Sequence, residues 1–189
     1  KKKARYFILE SGSAHIAYQD KLLREEYAQA GQSYALISQA QKERMIREYD
    51  AADVIMTPSL FVKNSFITQG YSPDKIATIW CGADLSFFSM STQDFQSLTL
   101  DRSTRKTVTI LFVGLVCLRK GIRLLLEAWR LLRKEYRHIR LQLAGALMPD
   151  ARALIKNFSH DFSVEYMGPV TRERLRELYK GADIFVLPS

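Results

Sequence analysis

The sequence has 189 residues, 47% of them hydrophobic and 25% charged. That is the balance of a folded soluble chain, and it excludes a disordered tail, a collagen-like fibre and a disulfide miniprotein. The length suits one large domain or two small or partial ones, and no stretch reaches the roughly 18 apolar residues of a membrane span. A surplus of Lys and Arg (28) over Asp and Glu (20) gives a net charge of +8, which invites nucleic acid, anionic lipid or a phosphorylated small molecule as partner.

The chain opens on Lys1-Lys2-Lys3-Ala4 and goes straight into an apolar run, Tyr6 to Leu9, so a strand and no secretory leader are expected. After the Ser11-Gly12-Ser13 turn, Ile16, Leu22, Leu23 and Tyr27 fall at helical spacing, closed by Gly31. A polar helix follows over about Ser38 to Tyr49. Asp53 to Thr57 reads as a strand stopped by Pro58. Ser59 suits the N-cap of a helix that ends before Gly70. Lys75 to Trp80 is a further strand candidate. From about Asp84 to Lys106 serines and threonines dominate and neither period holds, which reads as an interdomain connection. Phe87, Phe88 and Phe95 suggest that it is packed down.

Beyond it the signal sharpens. Thr107 to Val113 is an apolar strand ending in Gly114. Gly121 to Tyr136 is a helix with Ile122, Leu125, Leu126, Trp129 and Leu132 at helical spacing. Arg140 to Ala144 is a strand ending in Gly145. A helix is expected over Asp150 to Phe158, a strand over Val164 to Met167 ending in Gly168, a helix capped by Thr171, and a strand over Ile184 to Leu187. Strand and helix alternating in this way predict a parallel sheet with helices on its faces. One internal echo supports two such units: Tyr49-Asp-Ala-Ala-Asp-Val-Ile-Met-Thr-Pro-Ser59 aligns with Tyr179-Lys-Gly-Ala-Asp-Ile-Phe-Val-Leu-Pro-Ser189.

Ligands of open parallel sheets bind beyond the carboxyl ends of the strands. There Gly114, Gly145 and Gly168 allow close backbone approach. Arg119-Lys120-Gly121 precedes a helix, where cations oppose the helix dipole but suit a diphosphate. The pattern is neither a Walker loop nor a dinucleotide fingerprint. His15 follows a strand and a turn, and a lone histidine is more often structural than catalytic. Cys81 and Cys117 read as reduced thiols, and no cluster has metal spacing. Eleven basic and two acidic residues lie between Arg102 and Arg140. On the expected helix Arg123, Arg130, Lys134 and Arg137 share one side, while Leu125, Trp129 and Leu132 turn to the core. Trp80, Trp129 and Tyr136 fall on apolar positions or strands, which argues against nucleic acid.

The segments Phe112-Val-Gly-Leu-Val-Cys-Leu-Arg-Lys-Gly-Ile-Arg-Leu-Leu-Leu-Glu-Ala-Trp129, Leu141-Gln-Leu-Ala-Gly145, Met167-Gly-Pro-Val170 and Ala182-Asp-Ile-Phe-Val-Leu-Pro-Ser189 resemble the donor half of retaining GT-B glycosyltransferases of the family 4 (group 1) type. Ala52 to Val62 and Lys75 to Phe88 are similar to the end of the acceptor half and the crossing between halves. Glu10-Ser-Gly-Ser-Ala-His-Ile16 resembles one branch of the family. The resemblance implies an α/β fold with two incomplete Rossmann-like lobes. Residues 1–84 would be the end of the acceptor-side domain, 85–106 the linker and 107–189 the first part of the donor domain.

It further implies transfer of a sugar from a nucleotide-diphosphate donor to a saccharide or lipid-linked acceptor, in polysaccharide or glycolipid biosynthesis. No metal or other cofactor and no nucleic acid would be involved. The enzyme would be cytoplasmic, peripheral at the inner face of an anionic membrane. Lys120 matches the lysine that neutralises the donor diphosphate. Leu115 stands where the family carries an arginine, and Arg119 is the candidate substitute. Gly114 and Gly145 match strand-end glycines at the donor, and Val170 matches the loop at the nucleotide base. His15 or Glu10 falls near the acceptor-side catalytic position. The family's opening strands would precede Lys1 and its Glu-x7-Glu element would follow Ser189, so the 189 residues alone are expected to be inactive. The alternatives are a sugar-nucleotide epimerase of the same fold, a catalytically dead scaffold, or a non-catalytic basic binding module.

Overall fold

The computed structural model describes residues 6–158 and 160–188. The chain divides into two compact units, Lys1–Ala83 and Asp84–Ser189.

The first unit holds a parallel sheet of β1 (Ile8–Glu10), β2 (Val54–Thr57) and β3 (Ile76–Thr78), in that order. Its helices are α1 (Ile16–Gln29), α2 (Gln39–Ala51) and α3 (Leu60–Thr68). Their starts follow the chemistry of the residues before them. The hydroxyl of Ser38 accepts from the Gln41 N–H, and that of Ser59 from the Val62 N–H, each satisfying an orphan donor of a first turn. Ile16, Leu23, Tyr49, Ile55, Phe66 and Ile76 form the core. The strands are shorter than their apolar runs: β1 begins at Ile8 rather than Tyr6, and β3 stops at Thr78, leaving Trp80 65% exposed.

The second unit begins with α4 (Leu85–Phe88) and α5 (Thr92–Thr104). These helices occupy the stretch in which the sequence shows no period. They have almost no apolar face to reveal: Leu85, Phe95 and Leu100 are exposed. The helix starts rest instead on side-chain caps from Asp84 to Phe87 N and from Ser91 to Asp94 N. Phe87 lies beneath the Arg172 guanidinium, 4.2 Å from ring centroid to Cζ, and Arg172 also pairs with Asp84.

A four-stranded parallel sheet follows, built of β4 (Val108–Val113), β5 (Ile139–Ala144), β6 (Val164–Gly168) and β7 (Ile184–Phe185), in the order β6-β5-β4-β7. Its helices are α6 (Ile122–Glu135), α7 (Arg152–Lys156, preceded by the tighter turn Pro149–Ala151) and α8 (Arg172–Gly181). Leu111 and Phe112 are both fully buried. Neighbouring strand residues point to opposite faces, so both faces of this sheet are covered. Phe112, Leu141 and Leu143 join α6 residues Ile122, Leu125, Leu126 and Trp129 on one side; Leu111 and Ala144 meet Leu178 of α8 on the other. Leu132, expected in this core, is 38% exposed.

The internal echo has a structural meaning. The Asp53 carboxylate accepts from the Phe7 N–H at 2.7 Å while the Asp53 N–H donates to the Phe7 carbonyl at 2.8 Å. The Asp183 carboxylate accepts from the Thr109 N–H at 2.8 Å while the Asp183 N–H donates to the Thr109 carbonyl at 2.9 Å. In both units an Ala-Asp pair ends a helix, buries the alanine and clamps the entry of the neighbouring strand. The second clamp is also held by Arg105, which reaches the Asp183 carboxylate and the Gly181 carbonyl. Asp183→Ala strands the part-buried Thr109 N–H and is expected to cost about 1–3 kcal/mol. Asp53→Ala exposes the Phe7 N–H to water and should cost no more than about 1 kcal/mol. Urea unfolding of the two variants checks the ranking.

Candidate functional site

In the second sheet the chain runs outward from β4 through β5 to β6, then returns to the other side of β4 as β7. Such a reversal opens a crevice at the carboxyl ends of the two strands on either side of it. Here those strands are β4 and β7, and the loop from Gly114 to Gly121 lines the crevice.

The loop's course is fixed by its own backbone. The Val116 N–H donates to the Ala146 carbonyl at 2.9 Å, and the Met148 N–H donates to the Val116 carbonyl at 3.0 Å. The Asp150 carboxylate accepts from the Leu118 N–H at 3.3 Å. Val116, Cys117 and Leu118 are buried, while Leu115 and Arg119 are exposed and Lys120 is half-buried. The burial of the stem thus delivers the two cations to the surface. A tight turn over Leu118–Lys120 ends at Gly121, whose φ of 72° is a left-handed value. A Cβ there would lie 2.4 Å from the Pro188 carbonyl oxygen. Glycine therefore lets the cationic turn sit directly against the chain leaving β7.

α6 starts at this turn with no side-chain cap and no acidic residue in its first turn. Its N–H groups and the positive end of its dipole accompany Arg119 and Lys120, the combination that binds anions. The Cys117 thiol is pushed above its ordinary range chiefly by burial, so it is a neutral wall rather than a nucleophile.

Gly114 and Gly145 lie against each other. A Cβ on Gly145 would fall 1.8 Å from the Gly114 carbonyl oxygen. The glycine at 145 is therefore required by packing between two strand ends, whatever ligand lies beyond. The Val170 side chain rests on the cluster of Leu111, Ala144, Leu178 and Ala182, which leaves the backbone of Gly168 to Val170 as the part of that loop able to meet a ligand. Asp150, which anchors the cationic loop, and Pro188, which touches Gly121, are members of the site that the sequence does not mark, because both lie about 30 or more residues from the loop they hold.

The first unit has its own cleft at the carboxyl ends of its strands, lined by Glu10, Gly12, Met56, Thr57, Ile79 and Trp80, among others. The Ser11 N–H to Met56 carbonyl and Ile79 N–H to Thr57 carbonyl bonds hold the strand ends together. Glu10 is exposed there. His15 has a different setting: it is 3% exposed and caps α1, its Nδ1 accepting from the Ala17 N–H at 3.2 Å. Its ring meets Tyr49, Phe66 and Tyr71 at centroid distances of 5.0, 5.2 and 5.5 Å. Among the described residues Cys81 and Cys117 are free, and no group of three or more His, Cys, Asp or Glu could hold a metal ion. Among the described residues no helix is long and apolar enough to cross a membrane.

Burial holds the His15 pKa below its ordinary value of 6.5, the Asp50 charge opposing only in part. With Nδ1 accepting a hydrogen bond, the ring proton sits on Nε2, and protonation would also break the cap. The unfolded chain therefore takes up the proton at higher pH than the folded one. Stability should be full above pH 6.5 and fall as pH drops below it. Urea unfolding at pH 7.5 and 5.5 should show this loss in the parent chain and a smaller one in His15→Asn, which keeps a cap acceptor without the titration.

Residues 107–189 match the model of the family Glycosyl transferases group 1. No curated protein matches the sequence. Among solved structures, HepE from Anabaena in complex with UDP and glucose is similar, with a TM-score of 0.66 at 14% identity, covering 97% of this chain and 46% of HepE. WaaG, a glycosyltransferase involved in lipopolysaccharide biosynthesis, gives 0.61 at 16% identity, covering 96% and 50%. A glycosyltransferase from Rickettsia africae gives 0.53 at 17% identity, covering 97% and 51%. The chain thus spans about half the length of the structures it matches. These likenesses fix the fold as α/β with two Rossmann-like units of the GT-B kind, and the segment that builds the cationic crevice is the one that matches the group 1 glycosyl transferases.

Proposed function

We propose that the protein is a glycosyltransferase that takes its sugar from a nucleoside-diphosphate donor held at the carboxyl edge of the second sheet. The observation that carries the reading is the placing of Arg119, Lys120 and the uncapped start of α6 together at the reversal point of that sheet. As the bond between sugar and diphosphate breaks, negative charge grows on the leaving phosphate oxygens. Fixed cations and N–H groups aimed there stabilise the transition state more than the ground state. In this reading Lys120 neutralises the diphosphate, and Arg119 supplies the guanidinium that the family places at the position of Leu115. The chain's own cations do this work without a bound metal, and no cofactor besides the donor is required.

Gly114 lies bare at the diphosphate, Gly145 brings the neighbouring strand end directly against it, and the Gly168 to Val170 backbone meets the base. The acceptor, a saccharide or a lipid-linked saccharide, is assigned to the cleft of the first unit. There Glu10 presents a carboxylate at the end of β1. His15 supports that unit from within its aromatic cluster. Transfer with retention of anomeric configuration is part of the proposal and rests on the resemblance to family 4 enzymes. So does a role in polysaccharide or glycolipid synthesis. Calorimetric titration with nucleoside mono- and diphosphates of uridine, adenosine and guanosine tests the donor site. One diphosphate should bind at least about tenfold tighter than its monophosphate, since the second phosphate adds charge-assisted bonds. Equal binding of both would remove the diphosphate from the proposal. Release of nucleoside diphosphate only when an acceptor is added separates transfer from epimerisation.

A further inference from the structure

At the carboxyl ends of the first sheet an indole stands in water. The chain leaving β3 is pinned by the Ile79 N–H, which donates to the Thr57 carbonyl at 2.8 Å. The next residue, Trp80, is 65% exposed. Among the described residues no aromatic ring or cationic group stacks on it. An indole has up to about 250 Å² to bury, so one left in water forfeits energy that the fold would otherwise gain. The core of the unit, from Ile16 to Ile76, closes without it.

The cleft around Trp80 supplies a second element. Glu10, at the end of β1, lines the same cleft as Gly12, Met56, Thr57 and Trp80. Its side chain is exposed, and among the described residues its carboxylate has no cationic partner. The turn after it is closed by the Ser11 hydroxyl, which donates to the Ser13 carbonyl at 3.0 Å. It is tied to β2 by the Ser11 N–H, which donates to the Met56 carbonyl at 2.9 Å. Carboxylate and indole thus stand on two strand ends joined through β2. The cleft has a volume of about 230 Å³, below the roughly 300–1,000 Å³ of a site for a drug-sized ligand. That is a size for one ring, with the rest of a larger ligand left outside.

We propose that Trp80 is the platform on which one uncharged sugar ring of the acceptor stacks, its hydroxyls donating to the Glu10 carboxylate. The two groups answer the two parts of a pyranose. Its C–H face is apolar and weakly positive, and meets the electron-rich face of the indole. Its rim of hydroxyls needs acceptors, which an ionised carboxylate offers. The carboxylate also decides between ring classes. A nucleotide or a sugar phosphate would set like charges side by side, and a neutral sugar does not. The inference rests on the assignment of the acceptor to this cleft and narrows it: what is recognised there is a neutral sugar face, not a phosphate.

Titration of the chain with the methyl glycosides of glucose, galactose, mannose and N-acetylglucosamine tests it, followed by saturation-transfer NMR and tryptophan emission. At least one glycoside should bind saturably and shift the emission, a change that Trp129, 1% exposed, would not give. Trp80→Ala should lower the affinity by at least about tenfold, and Trp80→Phe, which keeps a flat ring, should recover most of it. Glu10→Gln should cost about 3- to 10-fold, since a neutral acceptor replaces a charged one. Nucleoside-diphosphate affinity should be unchanged in all three variants. Binding of none of the four glycosides, or equal binding by the parent chain and Trp80→Ala, would overturn the proposal. So would binding of uridine or adenosine that depends on Trp80 when no glycoside binds. Diphosphate binding reads the donor assignment separately. If the parent chain binds diphosphate but no glycoside, only the platform falls; if it binds no diphosphate, the glycosyl-transfer reading itself falls.

Discussion

Lys120→Ala is expected to weaken nucleoside-diphosphate binding by about 10- to 150-fold, from the roughly 1.5–3 kcal/mol that one hydrogen bond to a charged group supplies. The stem of its loop is buried through Val116, Cys117 and Leu118 and pinned by Asp150, so removal of the lysine side chain should leave the backbone path unchanged. Gly121 and the start of α6 remain in place to offer their N–H groups, which is why binding is reduced and not abolished. Arg119 is more exposed than Lys120, and solvent screens its charge more. Arg119→Ala should therefore cost less, about 5- to 30-fold, and its effect should shrink with salt more than that of Lys120→Ala. Calorimetry at two ionic strengths gives both numbers. Diphosphate affinity unchanged in Lys120→Ala would remove the motif from the account.

Gly145→Ala is expected to destabilise the second unit by about 3–6 kcal/mol, combining the cost of a non-glycine residue at a glycine-only backbone angle with that of a displaced backbone. The φ of Gly145 is 142°, and the added methyl would overlap the Gly114 carbonyl oxygen at 1.8 Å and its carbon at 2.7 Å. Both are main-chain atoms between paired strands, so neither can turn aside as a flexible side chain would. A cost of this size is a large share of the roughly 5–15 kcal/mol that holds a domain together. Trp129 is 1% exposed in that unit and Trp80 is 65% exposed in the other, so tryptophan fluorescence in urea reports mainly on the second unit. Gly181→Ala is the control: it lies in α8 with nothing within 4 Å of the added methyl, and it should leave the transition in place or raise it slightly. Coincident transitions for Gly145→Ala and the parent chain would show that the strand ends do not need this contact.

Much of the fold is legible in the residues because most elements bury one side and leave the other wet. The helix over Ile122–Glu135 and the strand over Val108–Val113 follow directly from apolar period and length. The caps at Ser59 and Thr171 follow from hydroxyl chemistry. The helices α4 and α5 escape that reading because they have little apolar face to mark a period. Trp80 looks like strand interior by composition, yet the strand ends at Thr78, the last backbone bond across it comes from Ile79, and the indole stands in a cleft.

The site divides along the same line. Arg119-Lys120-Gly121 is a local signal, conspicuous because cations are unfavourable at a helix start. Glu10 and Trp80 meet only through a sheet that brings residues 70 positions apart to one edge. The repeat of Ala-Asp-strand-Pro-Ser is visible in sequence, but its reason, an aspartate clamping the next strand's entry, needs the partner backbone of Phe7 and Thr109.

Amide hydrogen exchange of the chain with and without a saturating nucleoside diphosphate tests the central claim most directly. The account predicts new protection at the amides from Leu115 to Leu124 and from Gly168 to Val170, with little change from Glu10 to Gly12 or at Ile79 to Cys81. Protection confined to the cleft of the first unit, with the Arg119-Lys120 turn unaltered, would contradict the placing of the donor on the second sheet.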